Sequence, residues 1–130
     1  DTFHHAQLDW HDTTAAQEYV PYIYPQEHGN HICARELIVG EALRFAGEEF
    51  EFQVLPYTAH ELACAEHVEE LAPSARSYVR IDYKDSGIGS ASCGPDLAER
   101  YRLNEKKIQF TFTLCPARKT ERTEPERSTL

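Results

Sequence analysis

The chain has 130 residues, 41% of them hydrophobic and 27% charged. That is enough for one domain with a buried core, and too apolar for a disordered chain. A formal net charge of −9 and a pI near 5.2, with the basic residues scattered, argue against a nucleic-acid partner, because displacing counterions from a polyanion takes clustered Lys and Arg.

No apolar run approaches the ~20 residues of a membrane helix, and "DTFHHAQLDW" has no signal-peptide pattern. No membrane partner and a cytoplasmic location are therefore expected. The first residue is not Met, which suggests excision from something larger.

Residues 1–19 are mostly polar, with Leu8, Trp10 and Tyr19 as anchors. Asp12, Thr13 and Thr14 can cap a short helical turn over Ala15–Glu18, since a side-chain oxygen there satisfies a free backbone N–H. "VPYIYPQEHGNH" follows, too rigid and polar for a plain strand. From Cys33 the pattern turns strand-like in "CARELIV" and again in "ALRFAG". In "FEFQVLPY", Phe50, Phe52 and Val54 share one face and Glu51 and Gln53 the other, the period of two of a sheet with one wet face. "TAHELACAEHVEEL" predicts the one convincing helix, with a Thr58/Glu61 capping box and Leu62, Ala65 and Val68 at helical spacing.

"SYVRIDY" predicts a further strand, with Tyr78, Arg80 and Asp82 opposite Val79, Ile81 and Tyr83. "KDSGIGSASCGPD" is a loop of small residues. "KIQFTFTL" predicts a last strand with Ile108, Phe110, Phe112 and Leu114 on one face. From Pro116 onward the sequence is a polar tail, expected to be mobile. The sum is an all-β, mainly antiparallel, sandwich-like fold with one short helix.

Candidate chemistry is sparse. Cys33, Cys64, Cys93 and Cys115 contain no CxxC pair; an even count permits disulfides, and reduced thiols are the preferred expectation. His28 and His31 lie three apart beside Glu27, and His60 and His67 two helical turns apart. A zinc site needs three or four converging ligands, no HExxH occurs, and these histidines are expected to be surface or turn residues. No metal or other cofactor is expected in this chain.

"GIGSASCG" resembles neither a Gly-x-Ser-x-Gly elbow nor a phosphate loop, so Cys93 is expected to be a small thiol in a glycine-rich turn. The acids Glu48, Glu49, Glu66, Glu69 and Glu70 suit a solvated surface. Glu27 with Arg35 is the pairing expected to form a structural salt bridge.

Taken in order, "YVPYIYPQEHGNH", "RELIV", "LRF", "FEFQVLPYTAHEL", "RIDYKDSGIGSASCGP" and "FTFTL" resemble the end of a β-galactosidase. The match is to the last domain of the glycoside hydrolase family 2 enzymes, also found as the small chain where the enzyme is split. It covers roughly residues 1–115, leaving 116–130 as the tail. The resemblance implies part of a super-sandwich similar to galactose mutarotase, of which this chain is expected to be the C-terminal half.

It further implies that the catalytic carboxylates lie on a TIM-barrel domain outside this chain, since no glutamate here matches their motifs. No catalytic residue is therefore expected in this chain. The parent is expected to cleave terminal β-galactosides such as lactose with retention, with any Mg or Na ions held elsewhere. The implied partners are the remaining domains or large chain and, through them, the galactoside.

In that family a loop after the Gly-x-Gly closes over the active site, in some members with a tryptophan that packs on the sugar. Here the loop is one residue shorter, with Cys93 near that place. Ser90, Ser92, Cys93 and Gly94 are expected at the rim. Pro25, Gln26, Glu27, Gly29, Asn30 and Arg35 are expected to be a structural turn that aims this loop: Pro25 fixes φ, Gly29 permits a positive φ, and the polar residues supply hydrogen bonds.

The alternative is a stand-alone carbohydrate-binding module with an exposed aromatic platform. A free-standing aldose mutarotase relative, needing a His/Glu acid–base pair in a cleft, is a weaker third. As half a sandwich the chain would leave an apolar face or edge open, which predicts a homodimer through that surface.

Overall fold

The computed structural model describes residues 10–86 and 93–117. Two short α-helices, α1 (Ala15–Glu18) and α2 (Ala59–Cys64), accompany four strands: β1 (His31–Val39), β2 (Leu43–Leu55), β3 (Tyr78–Asp82) and β4 (Phe112–Pro116). All pairings are antiparallel, so the mainly antiparallel, all-β expectation holds. The short helix expected after Pro56 is joined by α1, which the cap at Thr14 had announced.

β2 is the spine of the sheet. Sequence reading divided it at Gly47, yet one strand runs unbroken through the glycine. β1 takes one edge of β2, and β4 and β3 lie end to end along the other, opposite Leu43–Gly47 and Glu51–Leu55 respectively. The β1–β2 hairpin turns through Gly40 (φ 59°) and Glu41 (φ 55°), with Ala42 N–H donating to Val39 C=O at 3.1 Å. Two successive positive-φ residues are what a type I′ turn needs.

The last strand differs from its expected span. Pairing begins only at Phe112, opposite Gly47, and continues to Pro116, while β3 takes the same edge of β2 from Glu51 onward. Ile108, Phe112 and Leu114, expected to share one face, are exposed.

The expected helix over 58–71 also divides. Thr58 and Glu61 form the capping box as expected, but α2 stops at Cys64 and a 3₁₀ turn follows at Val68–Glu70. Leu55, Tyr57 and Leu62 make the core here, with Tyr19 and Leu71 packed against them. At about 100° per residue, a helix continued from Leu62 would carry Leu71 to its far side. Ending the helix at Ala65 lets Leu71 fold back onto the core.

The largest departure concerns the face read as wet. Glu51 and Gln53 are only 9% and 6% exposed. Cross-strand partners share a face, so Glu51 opposite Asp82 and Gln53 opposite Arg80 form one polar surface. The segment 20–31 lies across its Glu51–Gln53 part and shields those two side chains from water, while Arg80 and Asp82 stay partly exposed.

Candidate functional site: a buried polar corner

Strand alternation delivers Glu51, Gln53, Arg80 and Asp82 to one face, and the turn above supplies their partners. Asn30 donates Nδ2–H to Glu51 Oε2 at 2.6 Å, and the Gln53 amide donates to the carbonyl of His28. Arg80 is held between two acids: a guanidinium nitrogen pairs with Glu27, and Nε donates to Asp82 Oδ2 at 2.6 Å. The same Glu51 Oε2 accepts from the backbone N–H of Asp85 at 2.8 Å. One carboxylate thus joins the turn to the start of the small-residue loop.

Burial pushes the Glu51 carboxyl above the usual carboxylate range, and the nearby charges of Asp85 and Asp82 add to that. The bonds from Asn30 and from the Asp85 amide act the other way without cancelling it. A buried acid stays tolerable here because its accepting oxygen is doubly satisfied.

His28 is fully buried, with 0% exposure. Val20 N–H donates to its Nε2 at 2.8 Å, and its Nδ1 lies 2.8 Å from Gln26 C=O. A backbone N–H can only donate, so Nε2 is bare and the proton sits on Nδ1, fixing the neutral tautomer. Tyr19 and Tyr22 flank the ring at centroid distances of 5.2 and 5.4 Å. His31 meets Glu18 at 2.7 Å and stacks on Phe52 at 4.6 Å. Both histidines serve the scaffold: His28 lies in the turn, as expected of a turn histidine, but fully buried, and His31 is half-buried at the start of β1. Burial of residue 28 follows from the chain crossing the polar face.

The expected turn residues mostly meet here. Pro25 is buried, Gln26 lends its carbonyl, Gly29 takes φ 74°, and Asn30 binds Glu51. The Glu27–Arg35 pairing is corrected: Glu27 meets Arg80, and Arg35 is exposed on β1. The two cations are equivalent on paper, but only Arg80 lies on the face under the turn.

Of the expected rim residues, Cys93 and Gly94 are exposed, while Ser90 and Ser92 lie outside the described residues. Two clefts adjoin the loop's ends. One of about 280 Å³ is lined by Glu27, Arg80, Asp82, Lys84 and Asp85. The other, of about 300 Å³, is lined by Ser86, Asp96, Leu97, Arg102, Leu103 and Asn104.

Sequence reasoning missed Glu51, Gln53, Arg80, Asp85 and His28. The signal was present in two strands, "FEFQV" and "YVRID", that each alternate apolar and polar residues. Two such stripes side by side beneath a polar turn make a partly buried polar layer as readily as a wet face. Among the described residues, all four cysteines are free and no three His, Cys, Asp or Glu side chains converge as metal ligands.

This sheet, with a turn joined through one carboxylate to Asp85, defines an antiparallel β-domain. A family profile described as "Beta galactosidase small chain" matches residues 1–114, and the chain belongs to that family. It is 42% identical over 114 residues to the β-galactosidase of Actinobacillus pleuropneumoniae, 36% over 111 to that of Staphylococcus xylosus, and 33% over 112 to that of Kluyveromyces lactis. These alignments take in 88%, 82% and 81% of this chain but only 11%, 11% and 10% of those relatives. The chain therefore spans about a tenth of their length.

Proposed function

We propose that this chain is a non-catalytic part of a family 2 β-galactosidase, completing the fold and rimming the active site of a larger enzyme. The whole enzyme would hydrolyse terminal β-D-galactosides, with its catalytic carboxylates, and any Mg or Na ions, carried outside these residues. Location in the cytoplasm belongs to the same reading.

The observation that carries the proposal is the shared Oε2 of Glu51, bound at once by Asn30 and by the Asp85 amide. The acids of the corner are committed to such bonds: Glu27 and Asp82 face Arg80, and Glu51 holds two donors. Carboxylates so engaged suit a scaffold that fixes a loop better than they suit proton transfer. In this reading the loop's Ser90, Ser92, Cys93 and Gly94 line the mouth of the pocket, and Pro25, Gln26, Glu27, Gly29 and Asn30 hold them there.

The test is hydrolysis of a chromogenic β-galactoside by this chain alone, by the remainder of the enzyme alone, and by the two mixed. Activity confined to the mixture is expected. Turnover by the isolated chain that survives repurification would overturn the proposal.

A further inference from the structure

Between Pro21 and Pro25 the chain forms an outward loop whose tip is Ile23 and Tyr24, 88% and 64% exposed. Exposed apolar residues scattered singly are ordinary. Two adjacent ones on a braced tip are not so easily dismissed.

The base of this loop is closed by His28, which accepts from Val20 N–H and donates to Gln26 C=O, both at 2.8 Å. A local turn, Tyr22 N–H to Val20 C=O at 2.9 Å, shapes its first limb. Pro25 is buried, and the Tyr22 ring packs edge-on against His28. The prolines fix φ on both limbs. The tip therefore cannot collapse onto the sheet to cover its own apolar surface.

Rigid presentation of Tyr and an aliphatic neighbour is the arrangement that loses least entropy on association. From it we infer that Ile23 and Tyr24 are the anchor by which this chain docks into an apolar pocket on the remaining polypeptide of the β-galactosidase. The inference rests on the reading above, that the chain works as part of a larger enzyme.

Two facts choose that occupant. The chain spans only 11% of relatives such as the A. pleuropneumoniae enzyme, so nearly all of their length is available to supply the pocket. A second copy is the poorer candidate, because two chains of formal net charge −9 repel as they approach.

The test uses the enzyme assembled from this chain and the remaining polypeptide. Ile23→Ser and Tyr24→Ser should each weaken association at least about tenfold, with the thermal stability of the chain itself unchanged. Tyr101→Ser, at an exposed aromatic elsewhere, should leave association as it was. A photo-reactive benzoylphenylalanine replacing Tyr24 should cross-link to the remaining polypeptide.

Unaltered association in both serine variants would overturn the inference and leave the functional reading intact. So would cross-links confined to a second copy of this chain. If the wild-type chain neither associates with the remaining polypeptide nor restores its activity, the functional reading falls, and this inference falls with it.

Discussion

Asn30 and Asp85, far apart in sequence, meet through one atom: Oε2 of Glu51, at 2.6 Å from the Asn30 amide nitrogen and 2.8 Å from the Asp85 backbone nitrogen. The bond to Asn30 is buried, with both side chains shielded from water, so its loss cannot be made good by solvent. Asn30→Ala should lower the unfolding free energy by about 1–3 kcal/mol, read from urea or thermal unfolding. Unchanged stability would mean the carboxylate does not depend on the turn.

The raised pKa of Glu51 has a definite consequence for pH. Its carboxyl titrates above the ordinary 4.5 in the folded chain, so the folded state holds the proton more tightly than the unfolded state. The stability this group contributes is complete below about 4.5 and is lost as pH rises through the raised native value. Glu51→Gln keeps an acceptor for both donors and cannot ionise. It should therefore show a shallower fall in stability than wild type across that window, and parallel curves would count against the assignment.

His28→Phe should retain the ring's bulk between Tyr19 and Tyr22 and remove both hydrogen bonds. The partly buried Val20 N–H would be left without its acceptor, at a cost of about 1–3 kcal/mol. Amide hydrogen exchange offers a local check, since Val20 should lose its protection in the variant.

Gly29 is buried at φ 74°, a region that β-branched side chains avoid. Gly29→Val should destabilise by at least about 1–2 kcal/mol, the cost of left-handed backbone for an L-residue with a side chain. Unchanged thermal stability would show that the turn does not require this conformation.

The capping box at α2 is a separable test away from the corner. Thr58 accepts from Glu61 N–H through Oγ1 at 3.1 Å, and Glu61 returns a carboxylate to Thr58 N–H at 2.7 Å. Thr58→Ala should cost about 1 kcal/mol in unfolding experiments, and Thr58→Ser should restore most of it.

Local chemistry was legible in the sequence wherever it is satisfied within a few residues. The cap among Asp12–Thr14 and the Thr58/Glu61 capping box close within three positions, and the positive φ at Gly29 reflects a residue without a Cβ. The alternation of "FEFQV" and "YVRID" correctly predicted strands, because period two is a property of the chain itself. Ordered motifs from the Pro-Gln-Glu turn to the closing "FTFTL" pointed to the family that residues 1–114 match.

What alternation cannot convey is what covers each face. Glu51 and Gln53 would be wet in an isolated hairpin. They are dry because residues 20–31 cross them, and that crossing places Arg80, not Arg35, under Glu27. Past the end of α2, Leu71 folds back onto the core, and β4 and β3 share one edge of β2 along different stretches of it. Each of these depends on which distant segment arrives at a surface first, and burial is settled there, by tertiary contact, rather than along the chain.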